Sequence, residues 1–129
     1  MGRKIRFAQD ELILELTGLT SYFCLKRKVR IPYHMIDSVL VDYYEAPQIM
    51  LRMPGTSVPG TSIREGSFKY RDEWYFLSYE RREPLVMIEL TGHKKYRYVI
   101  FQMEDPTETA YNIRTRLREW EIERGKNSK

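Results

Sequence analysis

Three side chains of the sequence belong to types that can act as a nucleophile or a general base: Cys24, His34 and His93. A cysteine nucleophile needs a base beside it, and a metal site needs several ligands at regular spacing. The two histidines are far apart and show no such spacing, and Cys24 lies in an apolar run, Tyr22-Phe23-Cys24-Leu25. We interpret Cys24 as a small buried side chain, and we expect a non-enzymatic protein without metal or cofactor.

The most marked charge feature is a basic run, Lys26-Arg27-Lys28 with Arg30, and no acidic residue occurs between Ser21 and Pro32. Such a run can contact anionic lipid or the phosphates of nucleic acid. It can equally be a solvated strand edge, where charge discourages pairing with another strand. The candidate binding residues are therefore Lys26, Arg27, Lys28 and Arg30.

Two further groups of residues, one basic and one aromatic, can be explained by structure alone. Lys94, Lys95 and Arg97 are typical of an ordinary solvated turn. Six aromatic residues between positions 68 and 79 predict a hairpin with rings on both faces. On one face the rings are expected to fill a core. On the other they either pair across strands or contact a partner. These are Phe68, Tyr70, Trp74, Tyr75, Phe76 and Tyr79.

The bulk composition indicates one globular domain. The chain has 129 residues, a net charge of +4 and a single cysteine, so an internal disulfide is excluded. No stretch approaches the roughly 20 apolar residues of a membrane span. We expect a cytoplasmic domain over residues 1–125, with a frayed tail at 126–129.

Alternating apolar residues predict strands over most of the chain. Leu12, Leu14 and Leu16 recur at a period of two, and later runs repeat the pattern between turn residues. Residues 19–27 have helical spacing. Residues 45–65 break the pattern and contain a direct repeat, Pro54-Gly55-Thr56-Ser57 and Pro59-Gly60-Thr61-Ser62. Each Pro-Gly pair suits a type II turn, so this segment is predicted as an ordered loop, either a binding element or a connector.

The last segment predicts an amphipathic helix. Asp105 is a suitable N-cap and Pro106 suits the first helical position. Ala110, Ile113, Leu117 and Trp120 then form one apolar stripe, and Gly125 is the predicted end. The predicted fold is mainly β: a partly open antiparallel barrel or sandwich of about seven strands, capped by this helix.

This layout resembles the pleckstrin-homology superfold, and several segments look like its bacterial families. The segments in chain order are Leu14-Glu15-Leu16-Thr17-Gly18-Leu19, Val29-Arg30-Ile31-Pro32, Ile36-Asp37-Ser38-Val39, Pro54-Gly55-Thr56, Gly66-Ser67-Phe68, Val86-Met87-Ile88-Glu89-Leu90 and Asp105-Pro106. The resemblance implies a module that binds phosphoinositides, peptides or proteins. The sequence differs from the lipid-binding members at the first hairpin, because Gln9-Asp10-Glu11 occupies the place of their basic motif.

We therefore expect a non-catalytic bacterial interaction domain that binds a protein partner or contacts a membrane peripherally. Two alternatives stay open. One is a small-ligand pocket or an enzyme built in the barrel mouth. The other is salt-sensitive binding of anionic lipid or, less favoured, nucleic acid.

Overall fold

The computed structural model describes residues 2–24, 26–47, 51–57 and 63–127, and within them nine strands form two sheets. The smaller sheet contains β1 (Arg3–Phe7), β2 (Glu11–Leu16) and β3 (Lys28–Pro32). The larger contains β4 (Ile36–Asp42), β5 (Leu51–Ser57), β6 (Arg64–Tyr70), β7 (Glu73–Tyr79), β8 (Leu85–Leu90) and β9 (Tyr98–Phe101). The helices are α1 (Gly18–Cys24) and α2 (Pro106–Asn127).

The smaller sheet is an antiparallel hairpin, β1-β2, extended by β3. A tight turn joins β1 to β2, closed by a hydrogen bond of 2.9 Å from Ala8 N to Glu11 O. Leu12, Leu14 and Leu16 are buried, as the alternation predicts, and Ile13 on the opposite face is buried as well. Both faces of β2 are therefore covered.

The segment predicted as a loop contains strand β5, which pairs with β6 at the edge of the larger sheet. The prediction of a type II turn at Pro54-Gly55 is wrong, because the register shifts between Arg52 and Gly55 and the pair sits inside an irregular strand. Proline is tolerated there because an edge strand has one row of N–H groups without a partner strand. The second Pro-Gly pair lies outside the described residues.

The larger sheet has the order β4-β8-β9-β7-β6-β5. The hairpins β6-β7 and β8-β9 are antiparallel, as predicted. However, β7 and β9 pair in parallel, from Tyr75 opposite Tyr98 to Ser78 opposite Phe101. The last strand of the chain thus lies between β7 and β8, so the described sheet is mixed rather than wholly antiparallel.

Two apolar clusters hold the layers together. The larger cluster combines residues of both sheets and α2, among them Leu14, Ile31, Phe76, Val99 and Ile113. The smaller cluster contains Phe68, Leu77, Tyr79, Leu85 and Ile100. Side chains alternate between the faces of a strand, so neighbouring residues of β7 contribute to different clusters. The hairpin aromatics thus fill a core on both faces, whereas the sequence predicted a core on one face only.

Helix α2 begins as predicted, since Asp105 Oδ1 accepts a hydrogen bond of 3.1 Å from Glu108 N. Ala110 and Ile113 are fully buried, Trp120 nearly so, and Leu117 only partly. The helix continues through Gly125 to Asn127, so residues 126–127 are helical rather than frayed. The protein is mainly β, an open two-sheet sandwich capped by this helix, and the strands among the described residues do not close into a barrel.

Candidate functional site

The four predicted binding residues do not form one site. Arg30 is exposed on β3, and its Nη1 lies 3.1 Å from Glu11 Oε1 on β2. Lys28 is exposed and stands directly opposite Glu15 in the same sheet. Lys26 and Arg27 precede β3 in the connection from α1. Glu11 thus offsets Arg30. Glu15 is instead paired with Arg6 at 3.6 Å, so Lys28 has no ion pair among the described residues and stays a candidate together with Lys26 and Arg27.

The connection between β8 and β9 supplies further cations, and His93 holds it against the smaller sheet. His93 Nδ1 accepts hydrogen bonds from Lys95 N at 3.1 Å and Tyr96 N at 3.0 Å. The proton therefore sits on Nε2, which donates to Arg30 O at 2.9 Å. His93 has a structural role: it fixes the loop that carries Lys94 and Lys95.

Lys26, Lys94 and Lys95 form a cluster of like charges. Burial, followed by repulsion from Lys95 and Lys94, lowers the pKa of Lys26 below its usual value. Within the described part of the chain, no carboxylate lies within 4.0 Å of these three ammonium groups. The positive charge at this point is therefore not neutralised by the fold.

Trp74 lies beside this cluster at the start of β7. Lys95 Nζ is 5.0 Å from its ring centroid, and Lys69 Nζ is 5.9 Å away. The ring is half-buried against the larger apolar cluster, and its N–H has no hydrogen-bond partner among the described residues. We call the following set the basic end: Lys26, Lys69, Lys94, Lys95 and Trp74.

Acidic residues near the basic end are bound by Arg97. Its guanidinium lies 2.7 Å from Glu89, 3.4 Å from Glu73 and 3.5 Å from Asp37. Arg97 therefore belongs to an ion network rather than to the solvated turn that the sequence predicted. None of these three carboxylates forms an ion pair with a lysine among the described residues.

A buried polar network that the sequence did not predict joins β1 to the larger sheet. Arg3 Nη2 lies 2.6 Å from Glu65 Oε1, and Arg3 Nε donates to Ser78 Oγ at 2.7 Å. Ser78 Oγ also donates to Glu65, at 3.0 Å from Oε2. Arg3 falls in an alternating basic stretch, so its local pattern does not distinguish it from the exposed Lys4 and Arg6.

Cys24 is buried, as predicted, and its thiol contacts this network. Sγ lies 3.4 Å from Glu65 Oε2, and burial together with the Glu65 charge raises the pKa of the thiol far above its ordinary value. A nucleophilic cysteine needs the opposite shift. His34 is exposed and makes no hydrogen bond through its ring within the described residues, so no Cys24–His34 dyad forms there.

Two clefts formed by described residues are polar or shallow. One, of about 580 Å³, is lined chiefly by charged groups, including Arg3, Arg81 and Glu83. The other, of about 420 Å³, lies between edge strand β4 and α2. There Arg114 donates a hydrogen bond of 3.0 Å from Nε to Val39 O, which covers part of the strand edge. Neither is the deep apolar pocket expected of a small-ligand site.

In the described part of the chain, no group of three or more histidine, cysteine or acidic residues is arranged to hold a metal ion. Neither described helix is long and apolar enough to cross a bilayer. Comparison with protein-family models, with curated proteins and with solved structures found no match.

Proposed function

We propose that this protein is a non-catalytic bacterial interaction domain of the pleckstrin-homology type, which docks on a negatively charged partner through the basic end. The observation that carries the proposal is the lysine cluster. Lys95 and Lys69 lie over the Trp74 ring, at 5.0 and 5.9 Å from its centroid, and neither has a carboxylate within 4.0 Å among the described residues. Lys95 and Lys94 also lower the pKa of Lys26 by repulsion, in addition to its burial. Clustered like charges cost stability, and an anionic partner offsets that cost.

Two observations favour this function over the enzyme and small-ligand alternatives. The thiol of Cys24 is kept protonated in a buried network. The cleft beside Arg3 is lined by charges of both signs rather than by an apolar wall with a few polar groups. The basic end is instead a surface feature built from two connections, α1-β3 and β8-β9, and from the paired strands β6 and β7.

A soluble polyanion tests the proposal directly. We expect inorganic polyphosphate to bind the wild-type protein with an affinity that falls as salt rises, because binding releases counterions. The triple variant Lys26→Ala, Lys94→Ala, Lys95→Ala should bind at least about tenfold more weakly, since it loses the three charges that lie together. Isothermal titration calorimetry at low and moderate salt measures both effects.

The matched control is Arg81→Ala, Arg82→Ala, Arg118→Ala, which removes three exposed cations elsewhere and lowers the net charge of +4 by the same three units. This control should stay within about threefold of wild type, because Arg81 and Arg82 are already paired with Glu83 and Glu45 and none of the three arginines belongs to the basic end. Equal losses in the two triple variants would show that only net charge matters, and would refute a defined docking surface.

A further inference from the structure

We propose that His93 controls the docking surface through its protonation state: the neutral ring holds the β8-β9 connection against β3, and the protonated ring releases it. This inference rests on the proposed function and names the regulation of the same site. The regulating ligand is the proton, and the part that moves is the segment 92–95, which carries Lys94 and Lys95. We therefore expect the basic end to be assembled at neutral pH and to lose its arrangement in mild acid.

The hydrogen bonds of the His93 ring require a neutral imidazole. Nδ1 accepts from Lys95 N at 3.1 Å and from Tyr96 N at 3.0 Å, and Nε2 donates to Arg30 O at 2.9 Å. A protonated ring has two donors and no acceptor. It would place the Nδ1 proton against two backbone N–H groups, so the closed connection excludes the charged form of the ring.

The neighbours of His93 in the connections are cationic or neutral. Lys94 and Lys95 follow it directly, and the Tyr96 ring lies 5.7 Å from its centroid. Lys26, in the α1-β3 connection, is repelled by the same two lysines. A positive charge on the ring would therefore add to a surplus of positive charge.

Strand β3 offers a charged His93 ring no compensating partner either. The ring contacts the backbone of Arg30, whose guanidinium lies 3.1 Å from Glu11. In the described part of the chain, no carboxylate oxygen lies within 4.0 Å of a His93 nitrogen. The closed form thus binds one proton fewer than the released form, so acidification favours release.

Both ends of the segment 92–95 are anchored independently of the His93 ring. Thr91 N donates a hydrogen bond of 2.9 Å to Met35 O, and Arg97 N donates one of 2.8 Å to Trp74 O. These backbone bonds do not involve a group that titrates near neutral pH. Protonation of the ring therefore releases a short segment and leaves the sheet intact.

The released segment carries the lysine that contacts Trp74. Lys95 Nζ is 5.0 Å from the centroid of the Trp74 ring and 5.5 Å from that of Tyr96, while the Lys95 backbone N–H donates to His93 Nδ1. Loss of that bond frees Lys95 to move relative to Trp74, and the cations lose their fixed spacing. A preorganised surface gives up less freedom on binding, so release weakens docking although the ring gains a charge.

Amide exchange followed by nuclear magnetic resonance measures the release. After correction for intrinsic exchange rates, the amides of Lys95 and Tyr96 should exchange at least about tenfold faster near pH 5.5 than near pH 7.5, because each loses a hydrogen bond. The matched variant is His93→Asn, since an asparagine oxygen accepts from N–H groups two and three residues ahead and does not titrate. Its two amides should change by less than about twofold.

Two controls assign the response to one group. The protein has two histidines, so His34→Gln leaves His93 as the only one, and this variant should keep the wild-type response. Glu65 also needs a control, because burial raises the pKa of its carboxyl, but it belongs to the Arg3 network and is present in every variant. A response that persists in His93→Asn, or that is lost in His34→Gln, would overturn the role of His93.

Polyphosphate titration relates the release to docking. At moderate salt, where one added charge is largely screened, acidification from about pH 7.5 to about pH 5.5 should weaken wild-type binding at least about threefold more than His93→Asn binding. Tighter binding by wild type than by this variant in acid would show that the added charge dominates, and would overturn the inference.

The two proposals fail on different results. The triple lysine variant near pH 7.5 tests the proposed function alone, and an unchanged affinity there would refute it whatever the amides show. If that variant loses affinity but wild type and His93→Asn respond alike to pH, the inference about His93 fails and the proposed function stands.

Discussion

The two tryptophans of the protein have similar cationic neighbours but very different surroundings. Trp120 on α2 is 8% exposed, its Nε1–H donates to Asp10 Oδ1 at 3.1 Å, and the Arg124 guanidinium is 4.9 Å from its ring. Trp74 is half-buried, and its N–H has no partner among the described residues. The first ring closes the fold, whereas the second is held at a surface.

The cations around the two tryptophan rings also differ in whether they have partners. Near Trp120, Arg116 donates to Gln9 O at 3.1 Å, lies 3.7 Å from Glu123 and covers the ring of Tyr33. The lysines near Trp74 have neither a carboxylate nor a carbonyl partner in the described chain. The cations at one end are paired, and those at the other have no carboxylate partner among the described residues, which supports the proposal that the second end binds an anionic partner.

The largest expected change in stability comes from replacing each of the two tryptophans. Trp120→Ala should lower the free energy of unfolding by about 3–5 kcal/mol, because it empties a buried site and leaves Asp10 without its donor. Trp74→Ala should cost no more than about 2 kcal/mol, since part of its ring surface is already in water. Urea denaturation followed by circular dichroism measures both, and equal losses would break the comparison.

A second, smaller change in stability is expected at Arg3, a buried cation that is paired with Glu65. Glu65→Leu should lower the free energy of unfolding by about 3 kcal/mol, because it leaves the buried Arg3 guanidinium with only the more exposed carboxylate of Glu80, at 3.7 Å. Adding Arg3→Met should restore most of that loss, since two apolar side chains of similar size can replace a buried ion pair. A double variant that is as unstable as Glu65→Leu would contradict this reading of the network.

The smallest expected effect is an increase in stability. Lys26→Gln removes one member of the repelling cluster and should raise the free energy of unfolding by about 0.5 kcal/mol at neutral pH and low salt. The folded state lowers the pKa of Lys26, so the cost of its charge is fully present below that pKa. The cost then fades as pH rises toward the ordinary value of 10.5. Thermal unfolding across this pH range checks the trend, and a loss of stability in Lys26→Gln would argue for a structural role.

Local sequence patterns accounted for much of the fold. The period of two in Leu12, Leu14 and Leu16 predicts β2, and Asp105 with the stripe of Ala110 and Ile113 predicts α2. These features depend on residues a few positions apart. The parallel pairing of β7 with β9 depends on distant segments, and Pro54-Gly55 carries a turn signal that the edge position of β5 overrides.

The site was predicted only in part, for the same reason. The run at Lys26 is visible in the sequence, but its companions Lys94 and Lys95 are nearly 70 positions away and resemble an ordinary turn. Arg30 belongs to the run, yet Glu11 on the neighbouring strand offsets its charge. Whether a surface cation is free or paired depends on cross-strand neighbours, and the spacing of charges along the chain does not report those.

The position of β9 has a consequence for how the protein is made. Because β9 lies between β7 and β8, the ribbon β4-β8 and the meander β5-β6-β7 share no strand pairing until residues 98–101 arrive. During synthesis the first ninety residues emerge from the ribosome with two sheet edges still open. The large sheet is then completed by one late strand that inserts between two waiting ribbons.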